Sequence, residues 1–166
     1  GNGDGKLSDN YSASAHSEFM TFWQHLANAG LITGQYSGMT GSNDFYDSTP
    51  GISVPASKLS NAGWIVYDNT LTAGQLFPVA LKRPNFRLGS ANPGYGPNAK
   101  LLTAEEMWGI DTKIDDGKPG MGTVTSYLSS VAWAAPDCAT SDVPGTSEYK
   151  LTMTSKECLI HIDAGF

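Results

Sequence analysis

The pattern of apolar residues predicts an amphipathic helix near the start of the chain. Between Ser14 and Ala29, apolar residues recur at the i, i+3, i+4, i+7 spacing that places them on one helix face: Phe19, Phe22, Trp23, Leu26 and Ala27. Glu18 in the first turn and His25 in the last suit the helix dipole, and Gly30 follows as the expected C-cap. This face is expected to pack in the core, or else to have covered another helix.

A second, shorter helix is predicted in the middle of the chain. Thr103 and Glu106 have the spacing of a capping box, and apolar residues follow on one face, so the helix should run from Ala104 to Ile114. The segment 90–100, dense in Gly and Pro, is predicted to be a loop before it. The Asp-Gly pair at 116–117 should turn the chain after it.

Short runs rich in β-branched and aromatic residues predict strands. They lie at 64–68, 75–81 with a continuation at 86–88 across Pro84, 123–128, 131–134, 149–153 and 158–162. Their spacing is too short for parallel crossovers, so the sequence predicts an α+β fold with an antiparallel sheet. A length of 166 residues with 40% hydrophobic content fits one domain, residues 1–166.

Charge and composition exclude several classes of protein. The formal net charge is −6, and the 10 Lys and Arg residues are scattered, so there is no basic face for nucleic acid. No apolar run approaches the ~20 residues that cross a bilayer. Few charges, with abundant Gly and Pro, are typical of exported proteins.

The two cysteines favour a disulfide. Cys138 and Cys158 lack the CxxC spacing of zinc or thioredoxin-type sites. Closing a loop of about 20 residues would stabilise the fold by about 3 kcal/mol in the chain-entropy model. A disulfide implies an oxidising compartment such as the periplasm or the cell exterior.

Histidines and nucleophile motifs give no catalytic prediction. His16, His25 and His161 do not fall into metal-binding or catalytic spacings, and His161 alternates with Ile160 and Ile162, so it is predicted to face outward. There is no nucleophile elbow, no P-loop and no dinucleotide-binding motif after a strand. The chain is therefore predicted not to be an enzyme.

Two groups of oxygen-bearing side chains are candidate calcium ligands. They are Asp111, Asp115 and Asp116 at the second helix, and Asn2 and Asp4 near the start of the chain. An Asp-Asp-Gly turn is also common without metal. An EF-hand loop that used Asn2 and Asp4 as ligands would begin one residue before Gly1 and would have its twelfth ligand at Tyr11, which has no carboxylate. The stretch around Asn2 is therefore interpreted mainly as a flexible connection.

Four stretches together resemble a known family. They are EFMTFWQHLANAGLITGQYSG at Glu18 to Gly38, GISVPASKLSNAGW at Gly51 to Trp64, LTAEEMWGIDTKIDDGKPGMGTV at Leu102 to Val124, and the cysteine-bearing tail from Cys138 to Phe166. This set resembles the globular head of type IV pilin-like proteins, the bacterial prepilins and the pseudopilins of type II secretion. WQHLANAGLI and IDTKIDDGKPG are the most specific of its motifs.

The resemblance implies a structural, non-enzymatic subunit of a pilus or pseudopilus. Its partners would be other pilin subunits, its location the bacterial periplasm or cell surface, and it would require no cofactor, although calcium could bind. The family's hydrophobic stem, which anchors the subunit in the inner membrane before assembly, is missing here. The chain is therefore expected to be truncated, with residues 1–13 as a linker from the stem.

A different class of protein is the alternative. An independent secreted module that binds calcium or carbohydrate is suggested by the NGDG start, by the Asp-rich turn and by three aromatic residues expected at the surface. These are Trp64, Tyr95 and Trp108.

Overall fold

A computed structural model gives the fold of most of the chain. It describes residues 7, 18–39, 47–67, 75–76, 84–126, 128–129, 137–141 and 143–165. The fold is α+β, with an antiparallel sheet and a disulfide near the carboxyl terminus, which confirms the predicted class. The chain divides into unit 1, Gly1–Asp68 with Leu88–Asn98, and unit 2, Asn69–Arg87 with Ala99–Phe166. One domain spanning 1–166 stays a prediction.

The described residues form two helices and seven strands. In chain order they are α1 Glu18–Asn28, β1 Ala62–Tyr67, β2 Gln75–Leu76, β3 Asn85–Asn92, β4 Gly96–Ala99, α2 Ala104–Ile114, β5 Val124–Ser126, β6 Leu128–Ser129 and β7 Ile160–Asp163. No helix of the described part is long and apolar enough to cross a membrane.

Helix α1 supplies much of the core of unit 1. Phe19 and Trp23 of the predicted apolar face are buried, and so is Met20, which was not assigned to that face. The helix packs on β1, where Ile65 and Val66 are fully buried. The burial of this face is what an amphipathic helix gains from folding. The predicted helix is confirmed from residue 18, while residues 14–17 lie outside the described part.

Gly30 ends helix α1, as predicted. Its φ of 71° is left-handed, a conformation open to glycine because it has no Cβ. The Gly30 N–H donates to the Ala27 carbonyl and the Leu31 N–H to the Leu26 carbonyl, each over 2.9 Å. These two bonds form a Schellman motif, which satisfies the last carbonyls of the helix.

The prediction of a loop over residues 90–100 is wrong. Strands β3 and β4 pair there, and the chain reverses between them at Pro93 and Gly94. The Tyr95 N–H donates to the Asn92 carbonyl over 3.0 Å and Gly94 has a φ of 88°, as in a type II turn. The Gly and Pro residues thus form a tight turn and an edge strand rather than an open loop.

The sheet of unit 2 is built around its last strand. β7 pairs antiparallel with β5, so that Thr125 lies opposite His161, and it also pairs with β3, whose residues 85–87 belong to this unit. β2 and β6 form a separate antiparallel pair. The strands predicted at 123–128 and 158–162 are confirmed with shifted bounds.

The strand predicted at 149–153 is wrong. Tyr149 forms an isolated bridge with Ala139, and the chain turns directly afterwards, where the Met153 N–H donates to the Lys150 carbonyl over 2.9 Å. The β-prone residues of this stretch therefore form one bridge followed by a turn rather than a strand. The predicted strand at 131–134 lies outside the described residues.

The predicted disulfide is confirmed. Cys138 and Cys158 are bonded, both are fully buried, and 20 positions separate them. The closed segment, residues 138–158, is also held by a bridge between Leu102 and Cys158. A loop of this length stabilises the fold by about 3 kcal/mol in the chain-entropy model.

Candidate metal centre

Helix α2 presents three carboxylates close to one another. It starts at the predicted capping box, in which the Glu106 N–H donates to the Thr103 hydroxyl and the Thr103 N–H donates to the Glu106 carboxylate. At its other end, one oxygen from each of Asp111, Asp115 and Asp116 lies within 4.8 Å of the others. We call these three residues the acidic cluster. The structure thus brings together the three aspartates that the sequence proposed as calcium ligands.

Asp111 is the buried member of the cluster. Its side chain has no exposed surface; the Tyr149 hydroxyl donates to Oδ2 over 2.7 Å and the Gly117 N–H donates to Oδ1 over 3.2 Å. Burial raises the pKa of Asp111 to about 6, against the lowering effect of these two hydrogen bonds, and the charges of Asp116 and Asp115 add a smaller rise. Near pH 7 this carboxyl is mostly ionised.

Asp115 ties the end of α2 to the start of β5. Its N–H donates to the Asp111 carbonyl over 2.6 Å, and its Oδ2 accepts the N–H groups of Thr123 and of Val124, the latter over 3.0 Å. Gly122 has a φ of 74°, and a Cβ there would lie 1.9 Å from Asp115 Oδ2. Glycine at this position therefore leaves room for the carboxylate to reach the backbone.

Asp116 is the exposed member of the cluster. Its Oδ1 accepts the Lys118 N–H over 2.8 Å, which closes an Asx turn. Among the described residues, no donor reaches Asp116 Oδ2 or Asp115 Oδ1. These two carboxylate oxygens are therefore available to a cation.

The donor set fits a hard divalent cation in its chemistry. Ca²⁺ takes six to eight oxygen ligands, among them carboxylates, backbone carbonyls and water. The cluster offers one buried carboxylate and two that reach the solvent, and a bound cation would relieve their mutual repulsion. Asp111, Asp115 and Asp116 would hold the ion, with the remaining ligands from water or backbone.

Tyr149 completes the setting of the cluster, and sequence reasoning missed it. Its hydroxyl donates a hydrogen bond to Asp111, which is 38 positions away in the chain. Burial raises the pKa of Tyr149, and this hydrogen bond raises it further. The Lys118–Glu148 ion pair lies alongside and joins the same two segments. No local sequence pattern predicts this hydrogen bond, because it joins residues 38 positions apart and depends on where the disulfide-closed segment places Tyr149.

The other candidate residues are separate from the cluster. Asn2 and Asp4 lie outside the described residues. Of the three aromatic residues, Tyr95 in unit 1 and Trp108 in unit 2 are exposed, whereas Trp64 is half-buried. The predicted aromatic surface is therefore confirmed at two positions, one in each unit.

The prediction that His161 faces outward is wrong. The side chain is 1% exposed, and its Nε2 accepts a hydrogen bond from Arg87 Nε over 2.5 Å. Ile160 beside it is buried as well, so both faces of β7 are covered at this point. Alternation reveals the inner face only where the other face meets water.

Comparison with known proteins gave no match. No family model, no curated protein and no solved structure is significantly similar to the chain.

Proposed function

We propose that this chain is the globular head of a type IV pilin-like protein, a structural and non-enzymatic subunit of a type IV pilus or of a type II secretion pseudopilus. One observation carries the proposal. The two motif-bearing segments, IDTKIDDGKPG and the cysteine-bearing tail, pack together inside unit 2 through the Tyr149–Asp111 hydrogen bond. Two segments that resemble the same family in sequence are thus in direct contact in the fold.

Both units expose large apolar side chains. Among the described residues, five in each unit are more than 40% exposed: Leu31, Met39, Ile52, Leu59 and Tyr95 in unit 1, and Trp108, Ile114, Met121, Val143 and Leu151 in unit 2. Single exposed apolar side chains are common on protein surfaces, and a contact with another protein needs several of them side by side. In a filament they are candidate contacts with neighbouring subunits.

Site-specific labelling in cells tests the assembly role. The gene that encodes this chain is expressed in cells carrying Ile52→Cys, because Ile52 is 61% exposed. A maleimide label followed by electron microscopy should decorate filaments or short pseudopilus tips. The wild type is the matched control, since both of its cysteines are in the disulfide and cannot react. Label found only on monomeric protein, in cells whose pili are intact, would contradict the proposal.

A second candidate function is calcium-dependent binding by a secreted module. The observation that favours it is the acidic cluster, whose three carboxylate oxygens lie within 4.8 Å of one another. Calcium binding is compatible with a pilin head as well. The two candidate functions are therefore distinguished by whether the protein assembles into filaments, and not by calcium binding alone.

Calorimetric titration of the chain with CaCl₂ tests the cation site. Asp116→Asn is the sharpest variant because the amide oxygen can still accept the Lys118 N–H while the charge is lost. We expect it to weaken binding by about tenfold or more. Asp137→Asn, which alters an aspartate paired with Lys150, is the matched control and should bind as the wild type does. A flat titration of the wild type would remove the calcium site.

A further inference from the structure

Strands β3 and β7 are joined by a hydrogen bond between two basic side chains. Arg87 Nε donates to His161 Nε2 over 2.5 Å, and the two side chains are 5% and 1% exposed. An imidazole nitrogen that accepts a hydrogen bond carries no proton. The contact therefore requires neutral His161, with its proton on Nδ1.

Protonation of His161 would destroy this contact. The Arg87 guanidinium stays protonated at every pH at which proteins are folded, so it cannot become an acceptor for a protonated His161. A second proton on the imidazole would set two N–H groups and two positive charges against each other in a buried place. Repulsion and lost solvation would act in the same direction.

The described strands around His161 bring few ionisable groups. From β3 the charged group is Arg87 itself, and β5 places Thr125 opposite and carries no ionisable side chain. On β7 the ionisable neighbour is Asp163, two positions further and so on the same face, partly exposed and accepting the Gly165 N–H over 2.9 Å. Burial, and after it the charge of Arg87, lowers the pKa of His161 well below its usual value.

We propose that the Arg87–His161 hydrogen bond is an acid-sensitive contact that loosens β7 from β3 when the surroundings become mildly acidic. The site is a conformational device in the terminal strand of unit 2. It is independent of the acidic cluster and of the proposed pilin role.

The direction of the effect follows from proton binding. The unfolded chain takes up a proton on His161 near pH 6.5, whereas the folded chain does so only at lower pH. Between these values the unfolded state holds more protons, so stability is lost as the pH falls through this window. One such proton changes the opening equilibrium by about tenfold per pH unit.

Hydrogen exchange of the β7 amides, Ile160–Asp163, tests the proposal. Protection is compared near pH 7.5 and near pH 5 after correction for intrinsic exchange rates, in the wild type and in His161→Gln. Glutamine offers Arg87 an acceptor and cannot be protonated. We expect the wild type to lose up to about thirtyfold more protection on acidification than the variant does, because pH 5 lies about 1.5 units below the pKa of the unfolded histidine. His25→Gln changes an exposed histidine on α1 and should behave as the wild type.

Two results would overturn the proposal. The first is an equal loss of β7 protection in the wild type and in folded His161→Gln. The second needs no variant: in the wild type, nitrogen NMR shifts that show His161 titrating near pH 6.5 while the β7 amides stay protected. Because the other titrating groups are shared by both proteins, the difference between them reports on His161 alone.

Discussion

Unit 2 contains two buried polar contacts that behave in opposite ways. In one, the Tyr149 hydroxyl donates to Asp111; in the other, Arg87 donates to His161. Burial acts against the charged form in each case, so it raises the pKa of the acid and lowers that of the base. The same physical cause therefore gives two contacts that respond to pH with opposite sign.

The pKa values of Asp111 and His161 show at which pH each contact affects stability. Asp111 has a pKa of about 6 when folded against 3.8 as a free group, so its contribution is fully present below pH 3.8 and is lost as the pH rises through 6. The difference corresponds to about 2–3 kcal/mol. His161 contributes stability above its usual pKa and loses it on acidification. The two effects partly cancel in weakly acidic solution, where the wild type should show a flatter profile than either single variant.

The largest expected effect comes from the disulfide, which holds Tyr149 over Asp111. The double variant Cys138→Ala/Cys158→Ala should lower the free energy of unfolding by about 3 kcal/mol, because the unfolded chain gains freedom. It should also allow water to reach Asp111, so that its pKa moves toward 3.8. Urea denaturation and carboxyl NMR measure the two effects. Val143→Ala, an exposed change within the same segment, is the control; an unchanged unfolding midpoint in the double variant would contradict the expectation.

Tyr149→Phe tests the acid contact by itself. The buried carboxylate loses a donor, so we expect a loss of about 1–2 kcal/mol near pH 7.5 and a smaller loss near pH 4.5, where Asp111 is protonated. Its pKa should rise further above 6, since this hydrogen bond lowers it. Tyr36→Phe removes an exposed hydroxyl that donates to the nearby Thr33 carbonyl, and it should have little effect. Equal losses of Tyr149→Phe at both pH values would speak against an ionised partner.

Asp111→Asn should remove the pH dependence of the Asp111–Tyr149 contact, because asparagine does not titrate. The amide can accept the Gly117 N–H and donate to the Tyr149 oxygen without a charge to desolvate. Relative to the wild type, we expect a gain of about 1 kcal/mol near pH 7.5 that vanishes near pH 4. Thermal unfolding in the presence of a chelator measures it, with Asp137→Asn as the exposed control. A difference between variant and wild type that does not depend on pH would refute the assigned pKa shift.

Lys118→Ala should have the smallest effect. Lys118 and Glu148 form an ion pair whose side chains are 43% and 58% exposed, so its contribution is about 0.2–0.5 kcal/mol and should shrink in high salt. Urea denaturation at two salt concentrations measures it. A loss as large as that of Tyr149→Phe would mean that the ion pair, rather than the buried contact, joins the two segments.

Local rules account for what the sequence predicted correctly. The capping box at Thr103, the C-cap at Gly30 and the grouping of Asp111 with Asp115 and Asp116 all depend on residues within one or two helical turns. Such signals are complete within a short stretch of chain. The disulfide was also predictable, because only two cysteines are present.

The contacts that the sequence could not reveal join distant residues. Arg87 and His161 are 74 positions apart, and Tyr149 and Asp111 are 38 apart. His161 was predicted to face outward because strand alternation assumes that the polar side chains of a strand meet water, and nothing in the sequence paired the other three residues. The β3–β4 pair was missed for a related reason, since its Gly and Pro residues are typical of both tight turns and loops.

Strand β3 has a consequence for anyone who wishes to express part of this protein. The chain leaves unit 2 after Arg87 and re-enters it at Ala99, so each unit consists of two separate stretches. Neither unit can be obtained by trimming one terminus. A self-standing unit 2 requires a designed splice from Arg87 to Ala99, and a self-standing unit 1 requires one from Asp68 to Leu88.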